Sequence, residues 1–313
     1  DIQHHHTGNR SEGAWRTARM GSAAGDLMPN LEEYTFQLGD SGVPLNANLA
    51  VPPFVDINDV VGLDSASVPQ TERDWEGNDG TFMDAEFEKG RTVVLSGTAY
   101  CDVDSVESYM DLLKANWAPS RTLVPLYFKG PGAVERMLYV KPLGVRYNWT
   151  TTRRFGAVSL QFQAFAEDPR LYSSGLEFAF IDVNTSGGLG FGFNFDFNFD
   201  FGGTVIGLGT NLVNLGNRET PVVFSIPGPA TNPRIVNDTT GDEMSFSITL
   251  NSNETLVIDT KYKTVKLDAT FNRRSALNFP TWFNLQVGDN VVRYLAATST
   301  GGPMVVTYRS AWR

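Results

Sequence analysis

The chain has 313 residues, more than a single hydrophobic core usually serves, so two cores are expected. Hydrophobic residues make up 41% of it and charged residues 19%, the balance of a folded protein and not of a disordered one. The net charge of -10, with no Lys/Arg stripe running against it, argues against direct nucleic-acid binding.

Cys101 is the sole cysteine, so the chain cannot close a disulfide on itself or build a thiolate metal site, and this residue reads as a small buried apolar one. No apolar run approaches the roughly 20 residues needed to cross a bilayer, which speaks against membrane insertion. No charged, apolar and small-residue series resembles a signal peptide. His4, His5 and His6 are the only histidines. They lie in a polar leader, residues 1–27, that reads as a tag, a scar or an upstream extension, with natural coding expected to start at Met28. Outside that leader the chain lacks the commonest general base and metal ligand, so no catalytic residue, cofactor-binding residue or metal ligand is assigned and the protein is read as a non-enzyme.

In chain order, short β-like runs separated by Gly, Pro, Asn and Asp begin at Tyr34 to Leu38 and Thr92 to Tyr100. Between them, Asn78, Asp79 and Gly80 suggest a hairpin tip. One helix is expected from Asp104, with Glu107 completing a capping box. Val106, Met110, Leu113 and Trp117 share one face of it, and Pro119 ends it. Strands resume at Leu123 to Phe128, Met137 to Tyr147 and Val158 to Phe162. The run AEDPRLY, Ala166 to Tyr172, closes a first domain. In the second, Met244, Phe246, Ile248 and Leu250 alternate with polar residues as one half-buried strand. Leu256 and Ile258, Val265 and Leu267, Val291 to Ala296, and Met304 to Tyr308 supply further strands at sandwich-like spacing.

The most unusual segment carries Phe191, Phe193, Phe195, Phe197, Phe199 and Phe201 at every second position, with Gly192, Asn194, Asp196, Asn198 and Asp200 between them. A strand of this pattern has one face of phenyl rings, roughly 900 Å² at about 150 Å² per ring. A soluble monomer rarely leaves such a patch uncovered. It either packs on its own domain or the domain seam, or meets a neighbouring subunit as an exchanged arm; a flexible linker fits the composition poorly. These six residues are the candidate interface.

Asp74, Glu76, Asn78, Asp79 and Gly80 are out of register for a calcium loop and read as a turn. Carboxylates are plentiful, but the sequence does not rank which two could face each other across a pocket, and exposed Asp and Glu usually serve solvation. Gly-rich stretches lack the GxGxxG and GK[ST] patterns that cradle phosphate. Trp282 or Trp312 on a sandwich face could stack on a sugar ring, which keeps a carbohydrate-binding module for host cell-wall glycan as the alternative function.

The stretch Asn217 to Leu267 resembles the C-terminal domain of siphophage distal tail proteins. The resemblance rests on a GP-x-x-NP turn at Gly228, Pro229, Asn232 and Pro233, a TTG turn at Thr239, Thr240 and Gly241, and the pair Leu256 and Ile258 before Asp259. The upstream RDWEGNDGTFMDAEFEKGRTVVLSGTAY, followed by one helix, is similar to the family's N-terminal belt domain, particularly in minor tail proteins of actinobacteriophages. The resemblance implies a mainly β protein with a ring-forming belt domain of β-sheet and one α-helix, residues 28–175, and a galectin-like β-sandwich, residues 217–313; the leader, residues 1–27, and a linker or arm with the phenylalanine tract, residues 176–216, are read from the sequence itself. It further implies a structural role at the distal end of the virion tail, after assembly in the host cytoplasm. The expected partners are further copies of the chain as a homo-hexamer, a trimer also being compatible, the tail tube protein, the tape measure protein and receptor-binding components. The phenylalanine tract has no counterpart in the general family pattern.

Overall fold

The computed structural model describes residues 29–64, 66–67, 72–74, 79, 81–83, 88–185 and 209–313. The first unit contains β1 (Phe36–Leu38), β2 (Phe54–Val61), the hairpin strands β3 (Glu72–Asp74) and β4 (Thr81–Met83), and β5 (Arg91–Tyr100). The helix α1 (Val106–Asn116) follows, then β6 (Val124–Phe128), β7 (Arg136–Tyr147), β8 (Ala157–Ala166) and β9 (Leu171–Ser173). Hydrogen bonding orders the main sheet β1-β6-β7-β8-β5-β2. The alternation in β8 explains its place at the centre: Val158, Leu160, Phe162, Ala164 and Ala166 all point into the core.

Helix α1 lies over that core on the face its apolar spacing directs inward. Val106, Met110, Leu113 and Trp117 are buried, and the Trp117 ring tilts against Phe162 at 4.8 Å between centroids. The expected capping box does not form. A 3-10 turn, Val103–Ser105, precedes the helix, Ser105 takes the cap position without a side-chain bond, and Glu107 instead pairs with Arg153. Cys101 is buried, with its thiol facing the Gly156 carbonyl at 3.7 Å. Gly156 has φ +74°, and an added Cβ would sit 2.0 Å from the Cys101 oxygen, so only glycine fits that close approach.

The second unit is a two-sheet sandwich. Its strands are β10 (Glu177–Ile181), β11 (Val183–Thr185), β12 (Thr210–Asn214), β13 (Val222–Pro227), β14 (Ala230–Thr231), β15 (Arg234–Asn237), β16 (Asp242–Phe246) and β17 (Thr249–Leu250). They continue with β18 (Thr255–Asp259), β19 (Thr264–Leu267), β20 (Phe271–Asn272), β21 (Leu277–Pro280), β22 (Gly288–Ala296), β23 (Thr298–Ser299), β24 (Met304–Tyr308) and β25 (Ala311–Trp312). One sheet runs β10-β24-β13-β18-β19-β20; the other runs β11-β22-β15-β16-β21, with β12 also on β22. Phe224, Ile258, Tyr294, Met244 and Phe246 fill the space between them.

Two expectations are corrected here. Residues 176–216 are not simply a linker: Glu177–Ile181, Val183–Thr185 and Thr210–Asn214 are strands of the sandwich, their backbone groups satisfied by β24 and β22. The single strand expected from Met244 to Leu250 is split, because a register shift at Ser245 and Phe246 bends the chain and Leu250 pairs instead with Ala230.

Candidate interaction surfaces

The two units meet through a built junction. Strand β25 leaves the sandwich to pair with β9 of the first sheet, Ala311 opposite Tyr172 and Trp312 opposite Leu171. Leu31, Tyr127, Met137, Tyr172 and Ala311 form a small apolar core beneath this pairing. Asp168, just before β9, accepts from Lys261 at 2.7 Å, from the Tyr172 hydroxyl at 2.6 Å and from the Arg170 amide at 3.1 Å. Burial alone would raise the Asp168 carboxyl, yet these donors hold it below the ordinary carboxylate range. The same surroundings push the Tyr172 phenol up, through burial first and then the Asp168 charge. Lys261 also lies over the rings of Tyr139, Tyr172 and Tyr262 at 5.4 to 5.7 Å. Around it, Arg170 reaches Glu219 at 3.5 Å, Glu88 pairs with Arg218 and, at 3.3 Å, with Arg313, and Arg309 donates to the Ser173 and Ser174 carbonyls. A cleft of about 160 Å³ opens beside Tyr139, Tyr172, Lys261 and Tyr308. Two of its lining residues, Tyr172 and Lys261, are held by Asp168, whose carboxylate is engaged by three donors, an arrangement that suits a structural joint.

The first sheet presents two further surfaces. Residues Leu45 and Asn46 stitch β1 to the first half of β2: Leu45 bridges Phe36, and Asn46 bonds Val55 and Ile57 through backbone and side chain. Past the bulge at Ile57 and Asp59, residues Asn58 to Val61 are exposed, and no further strand pairs that edge among the described residues. The second surface is the tip of the β7–β8 hairpin. There Trp149 is 75% exposed and Phe155 83%, with exposed Val103 on the neighbouring turn. Arg153 stacks on Trp149 at 3.9 Å, and its pairing with Glu107 holds it there.

Neither surface was visible in the sequence, because nothing local distinguishes an edge strand or an outward aromatic from a buried one. The candidate interface Phe191, Phe193, Phe195, Phe197, Phe199 and Phe201 lies outside the described residues, as do the leader and Glu76, Asn78 and Gly80. The tryptophans considered for sugar stacking are both half-buried. Trp312 packs against the first core beneath Arg136, 4.5 Å from its ring, and Trp282 packs against the second. A stacking platform needs an open ring face, and Trp312 has given one to Arg136.

The turns behind the family resemblance all form. Asn232, at φ +48°, donates its amide to the Ile248 carbonyl; Gly241, at φ +78°, donates to the Asn237 carbonyl; and Asp259 accepts from the amides of Lys261 and Tyr262. Residues 215–312 match the family model described as the C-terminal domain of the siphovirus-type tail component. No curated protein matches the chain. Among solved structures, the Dit protein of phage SPP1, described as a paradigm of the hub adsorption apparatus of phages infecting Gram-positive bacteria, is similar in fold: TM-score 0.59, 14% identity, 90% of this chain and 100% of that one. A chain of the phage p2 baseplate in its activated conformation aligns at TM-score 0.47 and 12% identity, over 88% of this chain and 98% of that one. The match of residues 215–312 to this tail-component domain, with a fold similar to that of the SPP1 Dit protein, bears out the chain's resemblance to siphophage distal tail proteins.

Proposed function

We infer that this chain is a structural hub subunit at the distal end of a long-tailed phage tail, closing into a ring through its first unit and carrying adhesion components on its sandwich. The observation that carries the reading is the tail-component match of residues 215–312 within a fold that aligns over the full length of the SPP1 hub protein. The geometry supports it. The open half of β2, on an edge of the first sheet, and the Trp149–Phe155 tip, at the end of the β7–β8 hairpin, are two different surfaces, and rings close through contacts between unlike surfaces. The polar and apolar junction makes the two units one piece, so a ring formed by the first would hold the second at a set angle. In this reading the ring holds six copies and joins the tail tube and the end of the tape measure to the receptor-binding components, and no reaction is catalysed.

The test is the native mass of the purified chain by light scattering over a dilution series, with negative-stain imaging. Ring particles near six chains are expected. Trp149→Ala with Phe155→Ala, or Val60→Asp with Val61→Asp, should reduce the mass to that of one chain while leaving the circular dichroism spectrum unchanged. A wild-type monomer that also fails to assemble with tail-tube rings would overturn the reading.

A further inference from the structure

The β10 end of one sandwich face is apolar and open. In the sheet that begins with β10, the inward rows are Ala179, Val306, Phe224 and Ile258, and the residues between them point the other way. Across the outer face, Phe180 stands beside Val305, then Ser225, then Val257, and Phe178 beside Thr307, then Val223. Charge appears only where these rows reach Asp259 and Lys266. Phe178 is 61% exposed and Phe180 65%, and β10 pairs with β24 alone, so its other edge is free among the described residues. Two adjacent exposed phenylalanines on a free edge strand are a liability that soluble proteins cover.

The register also shows where the undescribed residues 186–208 leave and re-enter the fold. Thr185 lies opposite Ala296 and Thr210 opposite Val292, on the same edge of β22, so the two ends are separated by four residues of one strand, about 13 Å at ~3.3 Å per residue. Only Asp182 separates β10 from β11. The face therefore lies at the root of the insertion. From Thr185 to Phe191 the chain can span about 20 Å, and from Phe201 to Thr210 about 30 Å, against a spacing of about 10 Å between the two sheets of a sandwich.

We propose that the phenylalanine tract, Phe191 to Phe201, docks on the outer face around Phe178 and Phe180 of its own chain. Three features agree. The tract supplies phenyl rings at the period of a strand, the face supplies the apolar ground, and attachment at both ends keeps the tract close to its own face at a high effective concentration. The docking is independent of ring formation and goes beyond the hub reading.

The test places a photo-reactive phenylalanine analogue at position 195 or 197 of the full chain and maps the cross-links by mass spectrometry, on an equal mixture of isotopically light and heavy chains. Cross-links to peptides of β10, β13 and β24, joining only light to light and heavy to heavy, are the expected result. Phe178→Ser with Phe180→Ser should reduce them at least fivefold, with β22 and β15 still protected from hydrogen exchange as the check on folding. Light-to-heavy pairs would overturn the proposal in favour of an arm exchanged between subunits, and products that avoid this face would overturn it altogether.

Discussion

Asp168 shows how much one side chain can do at a joint. Its side chain is 13% exposed and that of Lys261 24%, so the pair is screened less than a surface ion pair but is not fully dry. Removing one partner of such a pair leaves the other poorly solvated, and Asp168→Asn should lower stability by about 2 kcal/mol at pH 7. The pH dependence follows from the depressed carboxyl. Its contribution is complete above the unfolded value, near 3.9, and is lost as pH falls through the lower folded value. In urea unfolding, the gap between wild type and Asp168→Asn should hold constant from pH 7 to about 5 and narrow below about 4. A gap of the same size at pH 2.5 would show that the charge is not what Asp168 contributes.

Helix α1 was readable in advance because one periodicity of 3.6 residues decides both its structure and its buried face. Leu113 is fully buried, whereas Leu112, one position earlier, is 50% exposed. Leu113→Ala should cost about 3 kcal/mol and Leu112→Ala less than about 0.5, measured by the shift in the urea midpoint at unchanged slope. Its start was not readable in the same way. Asp104 and Glu107 satisfy the capping spacing, but Asp104 lies inside the preceding 3-10 turn and Glu107 pairs with the Arg153 guanidinium, 46 residues away. The strands divide similarly. Where one face is wet, as in β8, alternation announces the strand; β2, with Asp56, Asn58 and Asp59 among its eight residues, carries no such pattern and is held by pairing with β5. The outer phenylalanines of β10 follow the period of a strand, but the acidic and glycine-rich surroundings masked it, and only the β24 ladder makes the assignment.

For the molecule as a whole, the junction decides whether two units behave as one. It combines a strand from the sandwich in the first sheet, a shared apolar cluster and bonds from Lys261 and Arg309 across the boundary. Calorimetry of the wild-type chain should therefore show one cooperative transition. Lys261→Ala combined with Arg309→Ala should separate it into two and open the segment at residues 173–176 to limited proteolysis. A single transition in both proteins would locate the coupling in the β25 pairing and its apolar core. The hub reading depends on this joint, since a ring can aim its outward domains only if they do not swing freely.

From the order of the residues alone, the β class, the helix and its inward face, and the tail-component turns could all be read, because each depends on neighbours within a few positions: a period or a φ angle. The partners of Asp168 come from positions 170, 172 and 261, the open half of β2 is defined by the lack of a further strand beside it among the described residues, and β10 is a strand because residues 304–308 lie beside it. Those features arise when segments far apart in the chain meet, and pairing, burial and exposure are properties of that meeting, which no local pattern of side chains encodes.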